Sequence, residues 1–121
     1  MREAAKSFQD LIVWQKAHQA VLDAYQFSQC IPKIEQYGLT SQFRRSVISV
    51  AAYIAEGFKK KGRADKVRFL NVAQGSLEET RYYLILIQDL EYAETSKLMI
   101  QIEEISKLLE VYTKAILNSA S

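Results

Sequence analysis

The sequence predicts an all-α protein, an antiparallel up-down-up-down four-helix bundle. Three observations predict it. Apolar positions recur every three or four residues in four separate segments, the period of an α-helix. Only four Gly and one Pro punctuate 121 residues, too few for the turns a strand-rich fold requires. The connections are short, so helices adjacent in sequence are expected to be adjacent in space.

The first helix is expected over about residues 10–30. One row runs through Leu11, Trp14, His18, Val21 and Tyr25, a second through Val13, Ala17, Ala20, Ala24 and Phe27, with Lys16, Gln19, Asp23 and Gln26 opposite. Pro32 ends it, because proline has no N–H to continue the ladder, and Gly38 closes the connection. The second helix is expected over 41–57, with Thr40 or Ser41 as N-cap. Its middle, Ser46 to Ala55, is uncharged on every side. The third is expected over 64–91, carried by Leu70, Ala73, Leu77, Leu84 and Ile87, with Asp65 placed for the N-terminal dipole. Gly75 interrupts it and, with Ala73 and Ser76, marks either a close helix contact or a kink. The fourth is expected over 96–118, capped by Thr95 or Ser96, with Leu98, Ile102, Ile105, Leu109, Tyr112 and Ile116 stepping as a heptad. Glu103 with Lys107 and Glu110 with Lys114 are i,i+4 pairs in the favoured order.

Length and composition set further bounds. The chain suits one domain, residues 1–121, and 49% apolar with 25% charged residues is an ordinary globular balance. The longest uncharged run lies between Arg45 and Glu56, well short of the roughly 20 residues that span a bilayer. Charges at Arg2, Glu3, Lys6 and Asp10 leave no apolar core for a secretory signal, and Cys30 stands alone. The expected location is the cytoplasm, with no membrane partner.

Catalysis lacks candidates. A bundle that holds two metals offers Glu-x-x-His pairs, whereas the only histidine, His18, has Gln15 at that spacing. On a buried face His18 reads as a hydrogen-bonded packing residue. The adjacent carboxylates Glu78-Glu79 and Glu103-Glu104 point about 100° apart on a helix and do not converge. Glu56, ending an apolar helix, is expected to pair with an arginine, Arg44 or Arg45 of a neighbouring chain, rather than to act in chemistry. We therefore expect no enzyme, no metal and no cofactor.

The net charge of +2 hides an uneven distribution. From Arg44 to Arg68, eight basic residues (Arg44, Arg45, Lys59, Lys60, Lys61, Arg63, Lys66, Arg68) face Glu56 and Asp65, a balance of +6. From Phe69 onward four basic residues face eight acidic ones, a balance of −4. The eight cations are candidate phosphate contacts, which position a nucleic-acid backbone without reading bases. A solvated, flexible loop tip is the plainer reading of the same lysines. Phe58 and Phe69 flank them and read first as core. The uncharged second helix needs a cover, so Val47, Val50, Ala51, Tyr53 and Ile54 are expected at a contact between identical subunits. An oligomeric scaffold that docks a protein partner is the alternative function.

Four stretches carry a resemblance: Phe8-Gln9-Asp10-Leu11 with Trp14-Gln15; Glu35-Gln36-Tyr37-Gly38-Leu39-Thr40-Ser41-Gln42-Phe43-Arg44-Arg45; Ile54-Ala55-Glu56-Gly57; and Ala73-Gln74-Gly75-Ser76-Leu77-Glu78-Glu79. Together they resemble the 23S rRNA intervening-sequence (S23) proteins over nearly the whole chain. Tyr53 stands where that family usually has Asn, and Ser46 where Ala is common. The resemblance implies a small cytoplasmic bacterial protein. It also implies the habits of relatives that serve diversity-generating retroelements, in which a barrel-shaped homopentamer binds nucleic acid and a reverse transcriptase.

Overall fold

The computed structural model describes residues 4–119. They form four α-helices, α1 (Ile12–Ser28), α2 (Leu39–Lys59), α3 (Arg63–Asp89) and α4 (Ser96–Leu117), with short 3-10 turns at Phe8–Asp10 and Lys33–Glu35 and no strand among the described residues. α1 packs on α2 and α4, and α3 packs on α2 and α4, so the helices surround one core in the order of the chain. Phe43, Ile54, Leu70, Leu77, Leu84, Ile87, Ile102, Ile105 and Leu109 fill that core. Truncating one such side chain to Ala costs about 2–5 kcal/mol in a close-packed interior.

The seams between helices are pinned by polar contacts. Arg44 Nε donates to Ser28 Oγ at 2.8 Å across α1 and α2. Gln74 and Ser106 exchange hydrogen bonds across α3 and α4, and Gln101 Nε2 donates to Asp23 Oδ2 at 2.9 Å across α4 and α1. Between α2 and α3, Gly57 lies against Phe69 and Leu70, and Ser46 Oγ lies 2.9 Å from the Thr80 hydroxyl. Ser46 is thus accommodated by a hydroxyl partner rather than by apolar packing.

Several sequence expectations are corrected. Val47, Val50, Ala51 and Ile54 are 0–9% exposed inside the single chain, so they are core residues and not a contact between copies. The reason is that α2 is flanked by both α1 and α3, which bury that side of it. Tyr53 is half-buried against Phe69. What α2 shows to solvent is Gln42, Arg45, Ile48, Ala52, Glu56 and Lys59, with Ser49 and Ala55 partly exposed beside them.

His18 is exposed rather than buried, stacked on Trp14 with ring centroids 5.0 Å apart and planes within 6°. Its row flanks the true core row of Val13, Ala17, Ala20 and Ala24. Gly75 is exposed, and a Cβ there would meet nothing within 4 Å, so it marks no close helix contact within the chain.

Helix ends also differ. Gly38 is the N-cap of α2, which places Thr40 inside the helix and buried. Thr95 is the N-cap of α4, as expected, but its side chain makes no capping bond, its hydroxyl donating to Gln88 Oε1 instead. The side-chain acceptor at this end is Glu94, which accepts from the Ser96 backbone N–H at 2.8 Å and from its hydroxyl.

Candidate nucleic-acid interface

The C-terminal turn of α2, the loop after it and the first turns of α3 form one end of the bundle. Lys59 and Lys60 complement the unpaired carbonyls at the end of α2, and Asp65 complements the free amides at the start of α3. Gly62 serves as N-cap in an extended conformation. This helix–loop–helix places Lys59, Lys60, Lys61, Arg63, Lys66 and Arg68 within a few turns of one another.

Their environments are not equivalent. Lys59 and Lys61 are exposed and have no ion pair among the described residues. Lys60 is half-buried, with its ammonium 4.5 Å from the centroid of the Phe69 ring. Lys66 Nζ donates to the Phe58 carbonyl at 2.6 Å and lies 5.4 Å from the Phe58 ring centroid. Arg63 donates to the Ser119 carbonyl at 2.6 Å, tying the loop to the residue beyond α4. Arg68 pairs with Asp65 at 2.9 Å, and its guanidinium lies 5.7 Å from the Phe69 centroid.

Arg44 and Arg45 do not join this group. From Arg44 to Lys59 the helix climbs about 22 Å at about 1.5 Å per residue. Arg44 is partly buried, bonded to Ser28 and stacked 4.6 Å over Tyr25, whereas Arg45 is exposed. Glu56 forms no ion pair with either of them in this chain. The sequence run of eight cations therefore separates in space into six at one end and two near the other.

Sequence reasoning missed the part of the rings. Phe58 and Phe69 are half-buried and sit beneath cations, so they shape the charged surface as well as the core. Their signal was present, since each lies within a few residues of several lysines or arginines, but which cation meets which ring depends on the loop between the helices.

No group of three or more His, Cys, Asp or Glu residues able to hold a metal occurs among the described residues. The resolved pKa shifts lie outside the basic end, with Tyr83 and Tyr112 raised first by burial. Hydrogen bonds from the Ser96 hydroxyl and then its backbone N–H hold Glu94 below the usual carboxylate value, and backbone N–H groups of Lys6 and Ser7 do the same for Asp10. The Glu35 hydrogen bond raises Tyr92, whose hydroxyl donates to it at 2.9 Å across two connections. No described helix is long and apolar enough to cross a membrane.

Fold and surface define a class: a four-helix bundle whose end loop and adjoining turns carry a dense set of cations. The chain belongs to the family described as 23S rRNA-intervening sequence protein, whose model matches residues 9–111. It is similar to a crystal structure from Bacteroides thetaiotaomicron described as a protein with unknown function from the S23 ribosomal protein family. That likeness has 26% identity and a TM-score of 0.79, covering 85% of this chain and 99% of the other. No curated protein matches the chain.

Proposed function

We propose that this chain is a non-enzymatic, cytoplasmic, homo-oligomeric protein that binds RNA or DNA without regard to sequence. The observation that carries the reading is the crowding of Lys59, Lys60, Lys61, Arg63, Lys66 and Arg68 onto one loop and its adjoining turns, against Glu56 and Asp65. Such a surface suits phosphate contacts, and nothing on it is built to enter a groove and read base edges. The family description, which names an intervening sequence of 23S rRNA, is in keeping with a nucleic-acid setting.

The bundle in this reading is antiparallel and up-down-up-down. The pairing of Gly57 with Phe69 and of Ser46 with Thr80, late with early and early with late, supports that arrangement. Assembly of identical copies repeats the basic end, and the summed field attracts a polyanion far better than one copy does. We assign the contact between copies to the outward row Ile48, Ser49, Ala52 and Ala55, an uncharged strip between Arg45 and Glu56. A pentamer is the count the family resemblance implies.

The test is a variant with Lys59, Lys60, Lys61 and Arg63 all replaced by Gln. It should keep the helical content of the parent, melt somewhat lower because the Arg63–Ser119 bond is lost, and lose most of its retention on generic RNA and DNA. Equal retention by variant and parent contradicts the reading.

One observation favours a second reading, a protein-docking adaptor. Ile34 and Tyr37 in the α1–α2 connection are 89% and 92% exposed, an unusual cost for two large apolar side chains on a turn held by the Glu35–Tyr92 bond. A protein partner, a reverse transcriptase by the family resemblance, would then survive nuclease digestion in a pull-down and be lost on Ile34→Ser with Tyr37→Ser.

A further inference from the structure

Resting on the nucleic-acid reading above, we infer that the basic end takes a single strand rather than a duplex, with one base laid on the ring of Phe69. The ring is held from behind. Its Cβ lies close against Gly57, where an added methyl would come within 3.2 Å, and the Tyr53 ring sits 6.0 Å away at 50°. Phe69 is therefore a partly buried ring fixed in place, with only part of its surface open to solvent.

The position of Lys60 identifies the face that meets water. The Lys60 ammonium stands 4.5 Å from the ring centroid, and a lysine lays its stem on apolar surface while its head seeks water, so this is the face of the ring a ligand would reach. Arg68 approaches the same ring at 5.7 Å, and of these two cations only Arg68 has a carboxylate partner. Phe69 thus combines an aromatic face with adjacent positive charge, the pairing by which proteins hold unpaired strands.

An exposed cation–π contact is weaker than base–aromatic stacking. A base can replace the Lys60 ammonium over Phe69, and the flexible lysine stem lets the charge move to a neighbouring phosphate. A duplex keeps its bases within the stack and would use the cations alone. Phe58 is less available, because Lys66 above it is already committed to the Phe58 carbonyl.

The experiment is fluorescence anisotropy of the full chain with a uridine-rich single-stranded oligonucleotide and a duplex of equal length at low salt. The parent should bind the strand at least about tenfold more tightly than the duplex. Phe69→Leu should weaken strand binding by about tenfold and leave duplex binding unchanged, and Phe69→Tyr should retain it, in line with the loss seen when a stacking ring is removed. Should Phe69→Leu fail to fold, the strand-to-duplex ratio of the parent and the Phe69→Tyr variant still decide. Equal affinity of the parent for strand and duplex, or strand binding untouched in folded Phe69→Leu, overturns this inference and leaves the proposed function standing. A parent that binds neither overturns both.

Discussion

The Lys66 ammonium donates to the Phe58 carbonyl at 2.6 Å, joining the first turns of α3 to the last turn of α2. The final carbonyls of a helix have no intrahelical partner, so a lysine arriving from the next helix closes that end and complements its dipole. One of the six clustered cations is therefore occupied with holding the loop. Lys66→Met should lower stability by about 1–2 kcal/mol, somewhat under the usual worth of a charged hydrogen bond because the group is partly exposed. Chemical unfolding checks the loss. Nucleic-acid affinity should fall less in this variant than in Lys59→Gln with Lys61→Gln, whose ammonium groups have no ion pair among the described residues.

Two helical glycines should respond in opposite directions. At Gly57 an added Cβ would come within 3.2 Å of Phe69 Cβ, an atom fixed to its backbone, so Gly57→Ala requires α2 and α3 to give by a few tenths of an ångström. The expected loss is about 1–3 kcal/mol, the usual result of overpacking. At Gly75 nothing lies within 4 Å, and Gly75→Ala should gain up to about 1 kcal/mol from helix propensity. Thermal melts of the two variants measure both signs.

Acid should expose the part Glu94 plays in starting α4. Its pKa is held below the ordinary carboxylate value by the Ser96 hydroxyl and backbone N–H. A folded-state pKa lower than the unfolded one contributes stability at neutral pH that is lost as pH falls through the folded value. The unfolding midpoint of the parent should exceed that of Glu94→Gln at neutral pH, and the two curves should converge in acid. A gap that stays constant across the titration contradicts the assignment.

The four helices were legible because their apolar period is strong, and their observed ends lie within about two residues of those expected, the usual scatter of such boundaries. The caps were less legible. Gly38, not Thr40, is the N-cap of α2, and at α4 the side-chain acceptor is Glu94 rather than the N-cap Thr95, since which group reaches a free amide depends on how the preceding loop arrives. The interior of α2 misled for a plainer reason. Its Ser and Ala residues are small enough to suit either a core or a surface, so Val47, Val50, Ala51 and Ile54 could be assigned to a face only once α1 and α3 were in place.

The basic cluster was legible from Lys59 to Arg68 because those residues share one loop and its flanking turns. Arg44 and Arg45 were grouped with it by sequence alone, and a straight helix carries them about 22 Å away at about 1.5 Å per residue. Nothing in the pattern distinguishes Lys60, seated on Phe69, from Lys59 and Lys61 beside it. That difference arises from the crossing of α2 and α3.

The salt dependence of oligonucleotide affinity tests the central claim most directly. With four or more phosphates neutralised by the basic end, log Kd against log salt should be linear, with a slope of about 0.7–0.9 per phosphate. The Gln variant of Lys59, Lys60, Lys61 and Arg63 should flatten it by several of those increments. Binding that is absent at low salt, or as strong at high salt as at low, contradicts a phosphate-binding end.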